Sequence, residues 1–122
     1  SASSATLCAV LAARHRAGGA YALDHLVGYA SAEAHSSVEK AFRVAGFRAD
    51  QLRTVRVDAD QALDVGHLRE LVEEDLAAGR RPFFACATVG TTGTMAVDPV
   101  RAVAELLVPL GVWVHVDAAM AG

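Results

Sequence analysis

Apolar residues along this chain follow two rhythms, and the rhythms alternate. Four stretches repeat every three to four positions, as amphipathic helices do. Four shorter ones are continuous or repeat every second position, as strands do. The spacing predicts a first helix over residues 4–16, with Leu7, Val10 and Leu11 on one face, Ser3 as its N-cap and Gly18-Gly19 as its stop. A strand follows over 26–31 (LVGYAS). The second helix starts near Ser36, where Ser36 and Glu39 have capping-box spacing, and ends at Gly46. The strand over 53–57 (RTVRV) puts Val55 and Val57 on one face and Arg56 on the other. The third helix, 65–78, is capped by Asp64 and closed by Gly79. Its stripe is Leu68, Leu71, Val72 and Leu76, which makes Glu73-Glu74-Asp75 a solvated face. The strand over 83–89 (FFACATV) is apolar nearly throughout, as a strand covered on both faces is. Asp98-Pro99 opens the last helix, with proline at its first position, and Gly111 closes it before a strand over 112–116 (VWVHV).

Strands separated by helices imply right-handed crossovers and an α/β fold, a mostly parallel sheet flanked by helices. In such sheets ligands gather beyond the carboxyl ends of the strands. The residues that follow each strand are therefore the candidates for chemistry.

Composition narrows the classes. The 122 residues are 53% hydrophobic and 20% charged, enough for one well-buried domain and unlike a disordered chain. The net charge is -3 with no basic block, which argues against nucleic-acid binding. No apolar run reaches the ~18 residues of a membrane helix, and no signal peptide is visible. Cys8 and Cys86 sit in apolar stretches and read as buried, reduced thiols of a cytoplasmic protein. Ser1 in place of a start methionine, and Gly122 directly behind a strand, both read as cuts through a larger protein.

The corners carry a consistent set of groups. Ser1-Ala2-Ser3 precedes the first helix, and a helix N-terminus with small or hydroxyl side chains suits a phosphate or is a plain N-cap. Ala34-His35-Ser36 follows the first strand, and His35 is either a stacking partner for a flat ring or a capping histidine. Gly90-Thr91-Thr92-Gly93 follows the third strand, as a turn or as a hydroxyl-bearing loop. Asp117-Ala118-Ala119 follows the fourth, and Asp117 can cap a helix, bind a metal or hold a pyridine nitrogen protonated. His115 and Asp117 face the same way, but no third ligand is spaced to complete a metal site. His15, His25 and His67 read as surface or loop residues, and Trp113 as packing.

Four blocks resolve most of these alternatives: SASSATL, AHSSVEKA, PFFACATVGTTGT and VWVHVDAAMAG. In order and spacing they resemble the aromatic-amino-acid (group II) decarboxylases, fold-type I enzymes that use pyridoxal 5'-phosphate. The resemblance implies a partial cofactor-binding large domain over residues 1–122, from a homodimeric parent. It implies that Ala2 and Ser3 contact the phosphate. It implies that His35 stacks on the ring and assists protonation of the product carbanion. Thr92 matches a threonine near the phenolic oxygen, Asp117 the carboxylate on the pyridine nitrogen, and Ala119 the small residue on the opposite ring face. His35 and Asp117 are then the catalytic pair, and no metal is implied. Ser4 and Met120 depart from the family, which often has an acidic and an aromatic residue there, and 15–25 is shorter than in animal members.

One element of the family pattern is absent. Its Schiff-base lysine lies beyond the HVDAA block, whereas the sole lysine here is Lys40, about 140° around the helix from His35. Lys40 reads as a surface residue, and the chain alone as inactive. Oxidative deamination to an aldehyde, a catalytically silent cofactor-binding fragment and an unrelated nucleotide-binding α/β domain are the alternatives. The last is weakened because no glycine-rich phosphate motif stands at a strand-to-helix turn.

Overall fold

A computed structural model describes residues 2–88 and 94–117. Four helices and four strands alternate: α1 (Ala2–Arg16), β1 (Leu26–Ser31), α2 (His35–Val44), β2 (Leu52–Val55), α3 (Val65–Ala77), β3 (Arg81–Thr88), α4 (Thr94–Leu107) and β4 (Trp113–Asp117). Short 3-10 turns span Gly19–His25, Ala49–Gln51 and Val108–Leu110. The strands form one parallel sheet in the order β2-β1-β3-β4. This is the α/β architecture that the alternation predicts.

Two apolar layers cover the sheet. Residues of α1 and α2 pack with Leu26, Ala30, Leu52, Phe84 and Cys86 on one face. Residues of α3 and α4 pack with Val27, Tyr29, Val55 and Ala85 on the other. The period of two along each strand sends alternate side chains to opposite layers. One irregularity breaks it. A register shift between Val27 and Gly28 opposes an extra residue on β3, and both Phe83 and Phe84 join the α1/α2 layer. There they meet Phe42 and Phe47, with ring centroids 4.9 to 6.0 Å apart.

Gly28 makes room for that cluster. A Cβ there would overlap the Phe42 ring and come within 3.3 Å of the Phe84 carbonyl oxygen. Overpacking a close-packed site costs about 1–3 kcal/mol, so Gly28→Ala lowers the unfolding free energy by that amount and the urea midpoint with it. An unchanged midpoint shows that the Phe42 ring has space to retreat.

Several local expectations are corrected. The α1 helix begins at Ala2, so Ser3 lies within it and is not its cap. Its buried face is Thr6, Ala9, Val10 and Ala13, while Leu11 is 37% exposed. Small alanines let α1 approach the sheet closely. The Ser36–Glu39 capping box does not form. The N-cap of α2 is Ala34, and Glu39 instead bonds His35 and Arg43 along the helix. The α2 stop does hold: Gly46 adopts φ 94°, Gly46 N bonds Arg43 O, and Phe47 N bonds Phe42 O, a Schellman closure. The second strand is Leu52–Val55, and Val57 forms an isolated antiparallel bridge with Leu63. Pro99 lies inside α4, since the helix starts earlier, at Thr94. Cys86 is buried as expected, but Cys8 is exposed.

The largest correction is Asp75. It is 0% exposed, whereas Leu76 of the expected stripe is 47% exposed. Asp75 accepts hydrogen bonds from Tyr29 Oη (2.7 Å), Arg53 Nη1 (2.8 Å) and Arg80 Nη1 (2.9 Å). Helical spacing from Leu68 and Leu71 already puts residue 75 on the buried face. Its charge argued for solvent, but three donors replace the water it loses.

Candidate functional site

Parallel register aligns the carboxyl ends of the strands, and side-chain alternation sorts what stands there. Ala30 pairs Thr54 and Cys86, Cys86 pairs His115, and Thr88 pairs Asp117. Counting by twos from Cys86, which packs in the α1/α2 layer, Thr88 and Asp117 project to that same side. Asp117 is half-buried at the last position of β4. The Thr88 Oγ1 is buried with no hydrogen-bond partner among the described residues. Burial first, and then the Asp117 charge, push the Cys86 thiol up to about 12. Cys86 is therefore a neutral floor residue and not a nucleophile at ordinary pH.

Helix direction completes the rim. The far end of α1 meets the amino edge of the sheet: Arg81 Nη1 donates to Ala17 O, and Arg16 Nη2 to Gly111 O, each at 2.9 Å. Arg16 also stacks its guanidinium 5.1 Å over Trp113, whose packing role is thus as expected. The N-terminus of α1, where Ala2 and Ser3 lie, is then at the carboxyl edge. His35 is the first residue of α2, four residues beyond the end of β1 at the same edge. So the α1 terminus, His35 and Asp117 share one edge and one face. A helix N-terminus there offers N–H donors and a partial positive charge to an anion.

His35 and Asp117 share this rim with no hydrogen bond or ion pair between them. The His35 ring turns toward β2, with Nδ1 2.8 Å from Thr54 Oγ1 and Nε2 3.2 Å from Glu39. From β2 to β4 is three strand spacings, about 14 Å. Hydrogen bonds from Arg43 first, then from His35, hold the Glu39 carboxyl below the usual range. Lys40 is exposed on α2, as expected. Thr92 and Ala119 lie outside the described residues.

Thr54, Glu39 and Thr88 were not among the predicted site residues. Glu39 had a readable signal, since position i+4 from His35 is a helical neighbour. Thr54 and Thr88 had none, because strand register alone brings them to the rim.

A family model described as the pyridoxal-dependent decarboxylase conserved domain matches residues 1–122. The chain is 44% identical to a phenylacetaldehyde synthase of Arabidopsis thaliana, over 100% of this chain and 26% of that protein. It is 41% identical to an aromatic-L-amino-acid decarboxylase of Catharanthus roseus, over 98% of this chain and 25% of that protein. The crystal structure of Oryza sativa TDC with PLP and tryptamine superposes with a TM-score of 0.83 at 41% identity, covering 97% of this chain and 26% of that one. The chain thus spans about a quarter of the length of these relatives. No helix among the described residues is long and apolar enough to cross a membrane.

Proposed function

Because this chain belongs to the group II pyridoxal-phosphate-dependent decarboxylase family, we propose that the protein carrying it removes the α-carboxylate of an L-amino acid, with aromatic side chains preferred. One juxtaposition carries the reading. A carboxylate on β4, an imidazole on α2 and the N-terminus of α1 stand on one face of one sheet edge. The donor set suits pyridoxal phosphate. The buried Thr88 hydroxyl beside Asp117 has no hydrogen-bond partner among the described residues, as a group that faces a ligand has none within the protein.

When bound, the cofactor supplies an aldehyde for the substrate amino group and an electron-withdrawing ring. The chain's residues would hold and orient it. The α1 terminus, with Ala2 and Ser3, binds the phosphate. Asp117 holds a proton at the pyridine nitrogen. His35 would stack on the ring and supply a proton to the product carbon, and by the family resemblance Thr92 would bond the phenolic oxygen and Ala119 would stand on the opposite ring face. The single lysine, Lys40, is exposed on α2, so the 122 residues alone are inactive in this reading. A cytoplasmic, homodimeric parent completes it, and the two free cysteines support the compartment.

Oxidative deamination to an aldehyde is the second reading, favoured by the likeness to a phenylacetaldehyde synthase. Incubating the full-length protein with tryptophan, tyrosine, dopa and phenylalanine separates them. Amine formed in step with carbon dioxide is the expected result. Aldehyde formed with hydrogen peroxide establishes the second reading, and no carbon dioxide from any amino acid defeats both.

A further inference from the structure

We propose that Thr54 and Glu39 are positioning residues that lock the His35 imidazole in one tautomer, with Nε2 protonated and Nδ1 accepting. The clamp is read from geometry alone; its use in catalysis rests on the reading above. Both ring nitrogens are engaged, by Thr54 Oγ1 at 2.8 Å and by a Glu39 oxygen at 3.2 Å. An ionised carboxylate only accepts hydrogen bonds, so Nε2 must donate to Glu39. A neutral imidazole then has its lone pair on Nδ1, and the Thr54 hydroxyl, which can donate or accept, donates to it.

Each clamp residue is itself held. Glu39 also accepts from Arg43, one turn further along α2, which keeps the carboxylate ionised and aimed. Thr54 is β-branched, with restricted χ1, and is pinned beside Ala30 by the β1–β2 register. One contact comes from the helix that bears His35 and the other from a separate strand. The ring plane is thereby set by the tertiary structure and not by rotamer preference alone. A stacking partner needs a fixed plane.

The test uses the full-length protein without cofactor, labelled with nitrogen-15 in its histidines. His35→Gln identifies the His35 ring signals. The expected spectrum shows a protonated Nε2 and an unprotonated Nδ1, not an average of the two forms. Thr54→Val, which keeps shape and removes the hydroxyl, converts the signals to a tautomer average, and Thr54→Ser restores the single form. Glu39→Ala likewise gives the average. An Nδ1-protonated or averaged spectrum in the unmodified protein overturns the proposal, as does Thr54→Val with no change. Turnover tests the underlying reading separately. If His35→Ala is harmless while the single tautomer is observed, the clamp stands and the catalytic reading falls. If His35→Ala abolishes turnover while the ring is averaged, the reverse holds.

Discussion

Asp117→Ala in the full-length protein lowers turnover by about 10³-fold while the sheet stays folded. The magnitude follows from the charge that the side chain places at the rim. A carboxylate about 4 Å from a protonated ring nitrogen, at an effective dielectric near 20, contributes up to about 4 kcal/mol. About 1.4 kcal/mol corresponds to a decade of rate, so removing that charge from the transition state costs about three decades. The site is the right place for such a charge. Asp117 ends β4 half-buried, beside a Thr88 hydroxyl with no partner among the described residues, and its field already reaches the Cys86 thiol. The fold persists because Asp117 makes no salt bridge among the described residues. The checks are kcat, the absorbance of bound cofactor and the thermal midpoint. A near-normal rate removes Asp117 from the chemistry. A collapsed midpoint makes it a structural residue instead.

Asp75→Ala has the largest expected effect on stability, a loss of about 3 kcal/mol by urea unfolding. The substitution leaves the fully buried Tyr29 hydroxyl without its acceptor, and it removes the common partner of Arg53 and Arg80. Breaking one member of a buried ionic group costs more than the group contributed, because the others stay behind partly desolvated. Arg80 is half-exposed and can turn to water, so the value sits at the low end of the range for buried pairs. A loss below about 1 kcal/mol means that water replaces the carboxylate.

The same cluster sets an alkaline limit. Burial first, and then the hydrogen bond to Asp75, raise the Tyr29 pKa well above the ordinary tyrosine value. The folded state therefore holds that proton more tightly than the unfolded chain. This stability is complete below pH ~10, the unfolded value, and is lost as pH rises beyond it. Tyr29→Phe removes this alkaline loss, and urea midpoints measured across that range decide the matter.

Much of this was legible along the chain because the physics is local. The order of helices and strands follows from apolar periodicity. The α2 stop follows from Gly46, whose φ of 94° suits glycine and strains other residues. The Asp64 cap is a contact across three residues, with Oδ1 3.1 Å from His67 N. The placing of His35 behind β1 and of Asp117 at the end of β4 needed only element order. The N-caps of α1 and α2 were misread because several small or hydroxyl residues stand in a row at each start. A serine there is as willing to enter the helix as to cap it.

By itself, then, the sequence determined the alternation, the parallel sheet, the edge at which chemistry gathers and the family. Tertiary structure alone supplied the three donors that let Asp75 stay on the buried face, since they come from β1, β2 and the turn after α3. It alone brought Thr54 to His35 and Thr88 to Asp117, since each pair meets by register between strands or across layers. Helix and cap contacts lie within a few residues and leave a pattern that can be read. A contact across tens of residues depends on which strands pair and which way each face turns, and no local rule encodes that choice.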